Sequence, residues 1–124
     1  MRALIAISLV LSSFTLLAKT DNRESYTQEE MVFIQSVMYQ PLAEFCVRKT
    51  GETKYQKWFK EWHRDNQSVI TRGSEDFSNT VLSNGEQVER VINMLIHQVE
   101  ADWGGSDQAN RTEKCLQLKS LFRS

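Results

Sequence analysis

Apolar residues recur at steps of three and four along most of this chain, the interval that places side chains on one face of an α-helix. Met31, Ile34, Met38, Leu42 and Phe45 form the first such row. Tyr55, Trp58, Phe59, Trp62, Val69 and Ile70 form a second that runs up to Gly73. Val88, Val91, Ile92, Leu95, Val99 and Trp103 form the clearest row, stopped by Gly104-Gly105. A shorter helix is predicted from Ser74 through Leu82, with Glu75 and Asp76 in its first turn, where the helix dipole favours acids. Cys115, Leu118 and Leu121 or Phe122 supply the inward face of a last helix. No segment alternates with period two between hairpin turns, so the pattern predicts an all-α bundle of about four to five helices.

The polar residues between these rows mark helix boundaries. Thr27-Gln28-Glu29-Glu30 has the spacing of a capping box, in which a hydroxyl and a carboxylate each satisfy an orphan backbone N–H. Thr53 with Gln56 and Ser83 with Glu86 repeat that spacing, and Ser106 or Asp107 can cap the last helix. Arg48 and Lys49 precede Gly51, which puts cations at a negative helix end and glycine where a left-handed cap needs it. Pro41, the single proline, lacks an N–H and crowds the preceding turn. A kink or short break is predicted near Tyr39 to Pro41.

Ahead of the first row stands a different pattern. Met1-Arg2 carries a positive charge, Leu4 to Leu17 carries none, and Leu16-Leu17-Ala18 ends on a small residue before Lys19. Residues 1–18 have the three regions of a secretory signal peptide, and the apolar stretch is short for a span that needs about 20 residues. Lys19, not Cys, stands immediately after Ala18, so a stable membrane anchor is not expected. Residues 19–26 are polar and aperiodic, a flexible lead-in to a single helical domain over 27–124. Export changes the reading of the cysteines. Cys46 and Cys115, the only two, would enter an oxidising compartment, where a disulfide is the expected state. The chain-entropy model gives about 4 kcal/mol for closing a loop of that length. A metal pair or a reactive thiol is the alternative, but neither a Cys-x-x-Cys nor a second His/Cys cluster accompanies the two.

Total charge adds little. The 124 residues carry 15 Lys plus Arg against 16 Asp plus Glu, a net charge of −1 that lacks the basic excess nucleic-acid binding favours. The distribution is more informative. From Arg48 to Arg64 the chain carries Arg48, Lys49, Lys54, Lys57, Lys60 and Arg64 against Glu52 and Glu61. From Glu75 to Asp107 it carries Glu75, Asp76, Glu86, Glu89, Glu100, Asp102 and Asp107 against Arg90. Either the two runs neutralise each other within the bundle, or they present oppositely charged faces that steer association.

Residues that could do chemistry lack the company that chemistry needs. His63 and His97 have no partner at zinc-ligand spacing, and no metal or cofactor is implied. Glu61 and Asp65 share a helix face while His63 points away from it; His97 and Glu100 share a face as a surface pair. The acidic pairs Glu29-Glu30, Glu75-Asp76, Glu86 with Glu89 and Glu100 with Asp102 read as solvated helix charges. No nucleophile elbow, phosphate loop or dinucleotide fingerprint occurs, so catalysis is not expected. Asn66-Gln67-Ser68 and Asn110-Arg111-Thr112 match the glycosylation sequon, a weak signal by itself. Three tryptophans are many for so small a core, and tryptophan is enriched where proteins grip partners.

With Leu16-Leu17-Ala18, Cys46, Cys115 and these helical rows, the chain resembles the periplasmic immunity proteins of bacterial type VI secretion. The nearest likeness is to those that neutralise the lysozyme-like tail of a secreted spike effector. The resemblance covers residues 19–124 in architecture and rests on no diagnostic motif. It implies a periplasmic protein, one that can work as a dimer, that occupies the cleft of a cognate peptidoglycan hydrolase. Basic and aromatic side chains suit a cleft that holds carboxylates and sugar rings, and Trp62, Arg64, Arg72 and Trp103 are the expected contact set. Two other classes stand beside it. A periplasmic chaperone or small-ligand carrier would use an apolar groove lined by Met31, Met38 and Phe45, and a cell-wall enzyme would use one of the acidic pairs.

Overall fold

The computed structural model describes residues 26–123. The signal peptide over 1–18 and nearly all of the lead-in lie outside the described residues. Those described form five α-helices: α1 Gln28–Thr50, α2 Lys54–Asp65, α3 Gln67–Ser83, α4 Val88–Gly104 and α5 Gln108–Arg123. No strand occurs among them. The all-α expectation holds, with the disulfide in place: Cys46 and Cys115 are bonded across 69 residues with their Cα atoms 5.6 Å apart.

The central element is α1, which contacts each of the other four helices. Its expected single apolar face is replaced by burial over a wider arc, with Gln40, Glu44 and Arg48 left exposed. Ile34, Ser36, Ala43 and Cys46 are buried, and Phe33, Val37, Tyr39 and Val47, outside the expected row, are half-buried. A helix packed by four others needs apolar groups on more than one face. The predicted capping box forms as read: Glu30 N–H donates to the Thr27 hydroxyl at 3.2 Å, and Thr27 N–H donates to the Glu30 carboxylate at 2.8 Å. At the other end Gly51 takes φ 74°, the left-handed cap, and its N–H donates to the Val47 carbonyl at 2.8 Å. The break expected near Tyr39 to Pro41 is absent, since α1 continues through Pro41. Losing one N–H inside a helix costs about 3 kcal/mol, and the burial of Ile34 on one side and of Ala43 and Cys46 on the other offsets it.

Two apolar clusters share α1. Around the disulfide, Ala43, Cys46, Tyr55, Phe59, Cys115 and Leu118 are buried, with Trp58, Trp62, Trp103 and Phe122 packed against them. Nearer the start of α1, Ile34, Phe77, Val81 and Leu95 are buried, with Met31, Phe33 and Met38 against them. Tyr26, assigned by the sequence to the lead-in, already belongs here, its ring 5.5 Å from that of Phe77. At the first cluster Phe122 of α5 completes an aromatic group with Tyr39, Phe59 and Trp62, the centroids 5.9 to 6.1 Å from its own. The buried Tyr55 hydroxyl donates to the Cys115 carbonyl at 3.0 Å.

The middle of the chain departs from the sequence reading. The second predicted helix, running unbroken to Gly73, is instead divided at Asn66, whose side-chain amide donates to the Trp62 carbonyl at 2.8 Å. That bond, with the Asn66 N–H on the Trp62 and His63 carbonyls, closes α2 about two turns early. The short helix from Ser74 is not separate, because α3 passes straight through Gly73. This glycine is not a terminator. It is the point where α3 lies on α1: a Cβ there would overlap the Glu29 carbonyl and sit 3.2 Å from Phe33 Cβ. The capping boxes at Thr53 and Ser83 do not form; Thr53 makes no side-chain cap, and Gln87, also without one, stands at the start of α4. Asp107, in contrast, caps α5 by accepting the Asn110 N–H at 2.8 Å.

Two stability effects follow. Alanine at a helix-interior glycine ordinarily stabilises by up to about 1 kcal/mol. At Gly73 the sign reverses, and Gly73→Ala should lower the urea unfolding free energy by about 1–3 kcal/mol because α1 and α3 must separate. Reducing the disulfide, or replacing both cysteines by serine, should lower it by about 4 kcal/mol, measured in the same way.

Candidate functional site

The last turns of α1, the end of α4 and the first turn of α5 meet beside the disulfide and leave a hollow of about 310 Å3. Its lining is Phe45, Arg48, Lys49, Trp103, Gln108 and Arg111, three cations and two aromatic rings with no acid. The Phe45 and Trp103 rings are stacked, with centroids 5.3 Å apart and an angle of 18° between planes. The Arg48 guanidinium carbon lies 5.0 Å from the Phe45 centroid and that of Arg111 lies 5.2 Å from the Trp103 centroid. Arg48, Phe45, Trp103 and Arg111 therefore form a ladder of two cation–π contacts and one stack.

Local structure explains each cation. Arg48 and Lys49 sit at the C-terminal end of α1, where unsatisfied carbonyls favour positive charge. Arg111 does the same for α4 from the next helix: its Nε donates to the Trp103 carbonyl at 2.9 Å and an Nη to the Gly104 carbonyl at 3.5 Å. Lys49 Nζ donates to Gln108 Oε1 at 2.6 Å. All three are thus positioned by neutral partners, and among the described residues none is paired with a carboxylate.

The expected contact set is dispersed. Trp103 is in this hollow, half-buried in the ladder. Trp62 is half-buried among Tyr39, Phe59 and Phe122. Arg64 is exposed, 3.5 Å from its neighbour Asp65, and lines a separate groove with Ser36, Gln40, Phe59 and His63. Arg72 is held across the α1–α3 contact, its Nε 2.8 Å from the Glu29 carboxylate. Arg64 thus lies with Lys57 and Lys60 in grooves of its own, and of the four only Trp103 is brought to the hollow beside the disulfide, where its partners are Phe45, Arg48, Lys49 and Arg111. The signal for two of them is present in the sequence, since Arg48 and Lys49 stand just before Gly51 as helix-end charges. That Arg111 and Phe45 join them depends on the α4–α5 turn, which no local pattern reveals.

Other features bear on chemistry. The carrier reading placed Met31, Met38 and Phe45 along one groove, but the two methionines pack on the Ile34–Phe77 cluster while Phe45 faces Trp103. A more apolar hollow of about 320 Å3 opens between α1, α4 and α5, lined by Tyr39, Leu42, Leu118 and Leu121 and bordered by the Lys114–Asp102 ion pair at 2.8 Å. His97 stands 4.0 Å from Glu100 on an exposed surface, as the sequence indicated. Among the described residues no group of three His, Cys, Asp or Glu side chains could hold a metal ion, and no helix is long and apolar enough to cross a membrane.

Among the described residues the most buried carboxylate is Glu30. Burial disfavours its charge, yet the Thr27 N–H, the Thr80 hydroxyl at 2.7 Å and the Thr27 side chain together outweigh burial and hold its carboxyl below the ordinary value. Its bonds tie α1 to α3, which is a structural task. Burial alone pushes the Tyr39 phenol up, and burial with the nearby Glu52 charge does so for Tyr55. Comparison with family models, with curated proteins and with solved structures gave no match.

Because the folded carboxyl of Glu30 titrates below its unfolded value, its contribution to stability is complete above about pH 4.5 and is lost as the pH falls through the folded value. Glu30→Gln should cost about 1.5–3 kcal/mol at pH 7, the range for hydrogen bonds to a charged group. The difference from the parent should shrink in unfolding curves recorded well below pH 4.5.

Proposed function

We propose that this chain is an exported binding protein that protects the periplasm by occupying the cleft of a cognate peptidoglycan-degrading toxin. The observation that carries the reading is the fate of the two charge runs. Among the described residues no ion pair joins the basic run Arg48–Arg64 to the acidic run Glu75–Asp107. The charges do not neutralise each other pairwise within the bundle. Lys54, Lys57, Lys60 and Arg64 are exposed on α2, and Lys119 and Arg123 of α5 lie 5.6 and 5.5 Å from the ring of Trp58. The acids Glu75, Asp76, Glu89, Glu100 and Asp102 are exposed on α3 and α4.

A surface so divided accelerates approach to an oppositely charged partner and rejects like-charged ones. Glycan hydrolases supply such a partner, because a carboxylate pair flanks the bond they cleave. The disulfide suits the oxidising compartment in which that encounter would take place. A second reading, a small-ligand carrier, draws on the apolar hollow lined by Tyr39, Leu42, Leu118 and Leu121.

The oxidised chain from residue 19 onward, added to a lysozyme-like toxin domain encoded beside its gene, should stop clearing of purified cell-wall sacculi at a one-to-one ratio. Cells exporting that toxin should survive only when the chain keeps residues 1–18. Undiminished clearing, with saturable uptake of a fluorescent apolar dye that is lost in Leu42→Glu, would transfer the function to the carrier reading.

A further inference from the structure

We infer that the hollow bounded by Phe45, Arg48, Lys49, Trp103, Gln108 and Arg111 is a receptor for closely spaced carboxylates on an acidic protein segment. This rests on the inhibitor reading above and assigns the grip to one end of the bundle. Three cations around about 310 Å3 raise one another's energy, and the two helix ends beneath them, each worth about half a negative charge, compensate only in part. A guest carrying two carboxylates would complete the balance. The hosts are already positioned: Arg111 by the Trp103 and Gly104 carbonyls, Lys49 by Gln108, and Arg48 by the Phe45 ring. Groups held in place before the guest arrives lose less side-chain freedom on binding. Arg111 uses Nε and one Nη on the turn, which leaves further guanidinium N–H donors for a carboxylate.

The stack argues against a wall saccharide as the guest. Sugar recognition needs a bare aromatic face, whereas each ring here is packed against the other ring and against a guanidinium. What the hollow offers is charge and ring edges, the chemistry that takes a carboxylate side chain. The acids of the α4–α5 turn do not fill it, since Asp107 caps α5 and Asp102 pairs with Lys114, and Glu44 and Glu52 beside the α1 cations form no ion pair with them.

The test uses the oxidised chain from residue 19 onward and needs no toxin, so its outcome is separable from that of the inhibitor reading. An octapeptide of alternating Asp and Glu, its Asn/Gln counterpart and a soluble muropeptide are each titrated into labelled protein. Chemical shifts are followed at the indole N–H, assigned through Trp103→Phe, and at the arginine Nε–H groups. The acidic peptide should move the Trp103, Arg48 and Arg111 signals saturably while the Trp62 indole stays in place, and the amide peptide should move none. Arg48→Glu with Lys49→Glu should weaken binding at least about tenfold, whereas the charge-matched Lys54→Glu with Lys57→Glu should change it by less than about twofold. Arg48→Gln with Lys49→Gln, whose fold is checked by circular dichroism, should give a smaller loss in the same direction. Equal loss in both charge reversals would reduce the effect to general attraction, shifts with the muropeptide alone would make the hollow a glycan site, and no saturable shift would abolish the site. Each of these overturns the inference.

Discussion

α1 is covered around most of its circumference, with the edge of Gln40, Glu44 and Arg48 left to solvent, and it achieves this because α3 comes close enough for Gly73 to rest on the Glu29 backbone. Every other feature of this half of the bundle depends on that approach. It brings Phe77 fully beneath α1, lets the Thr80 hydroxyl reach the Glu30 carboxylate, and sets Arg72 against Glu29. A methyl group at position 73 would lengthen all of these together. The contact is therefore specified by what is missing from one residue.

The other half is secured differently. α2 and α5 are anchored to the end of α1 by the disulfide, by the Tyr55 hydroxyl on the Cys115 carbonyl, and by the rings of Tyr39, Phe59, Trp62 and Phe122. A covalent link restricts the unfolded chain more than it adds contacts to the folded one. It matters here because α4 and α5 diverge from their turn, with the Lys114–Asp102 pair at 2.8 Å bordering the space between them. The tryptophans are bound into this half as packing groups, and all three keep part of their surface. They join cohesion of the core to the cationic edge, through Lys119 and Arg123 at Trp58 and through Arg111 at Trp103.

The cationic hollow shows how a local requirement creates a functional surface. Two helix ends each call for positive charge, and the α4–α5 turn brings them to one place. Charges chosen for separate helices thereby become neighbours. Their neutral partners fix their positions without cancelling them, and such positioned charge is what a binding surface uses to select an acidic partner.

Much of this molecule was determined by its sequence. The capping box at Thr27, the glycine cap at Gly51, the caps and stop around Gly104 to Asp107, the helical content and the Cys46–Cys115 pairing all follow from rules that involve a few adjacent residues or the compartment chemistry of two. Tertiary contact decided where those rules compete. Thr53 and Ser83 have capping-box spacing and make no cap, Pro41 stays inside a helix held by buried neighbours, and Asn66 ends a helix through one amide bond. Gly73 has the appearance of a stop and is a contact. The dispersal of Trp62, Arg64, Arg72 and Trp103, and the gathering of Phe45, Arg48, Lys49 and Arg111 around one of them, have the same origin. Residue spacing fixes which groups share a helix face, but which helix faces meet depends on where α1 is approached most closely, and that distance is set by side chains far apart in the chain.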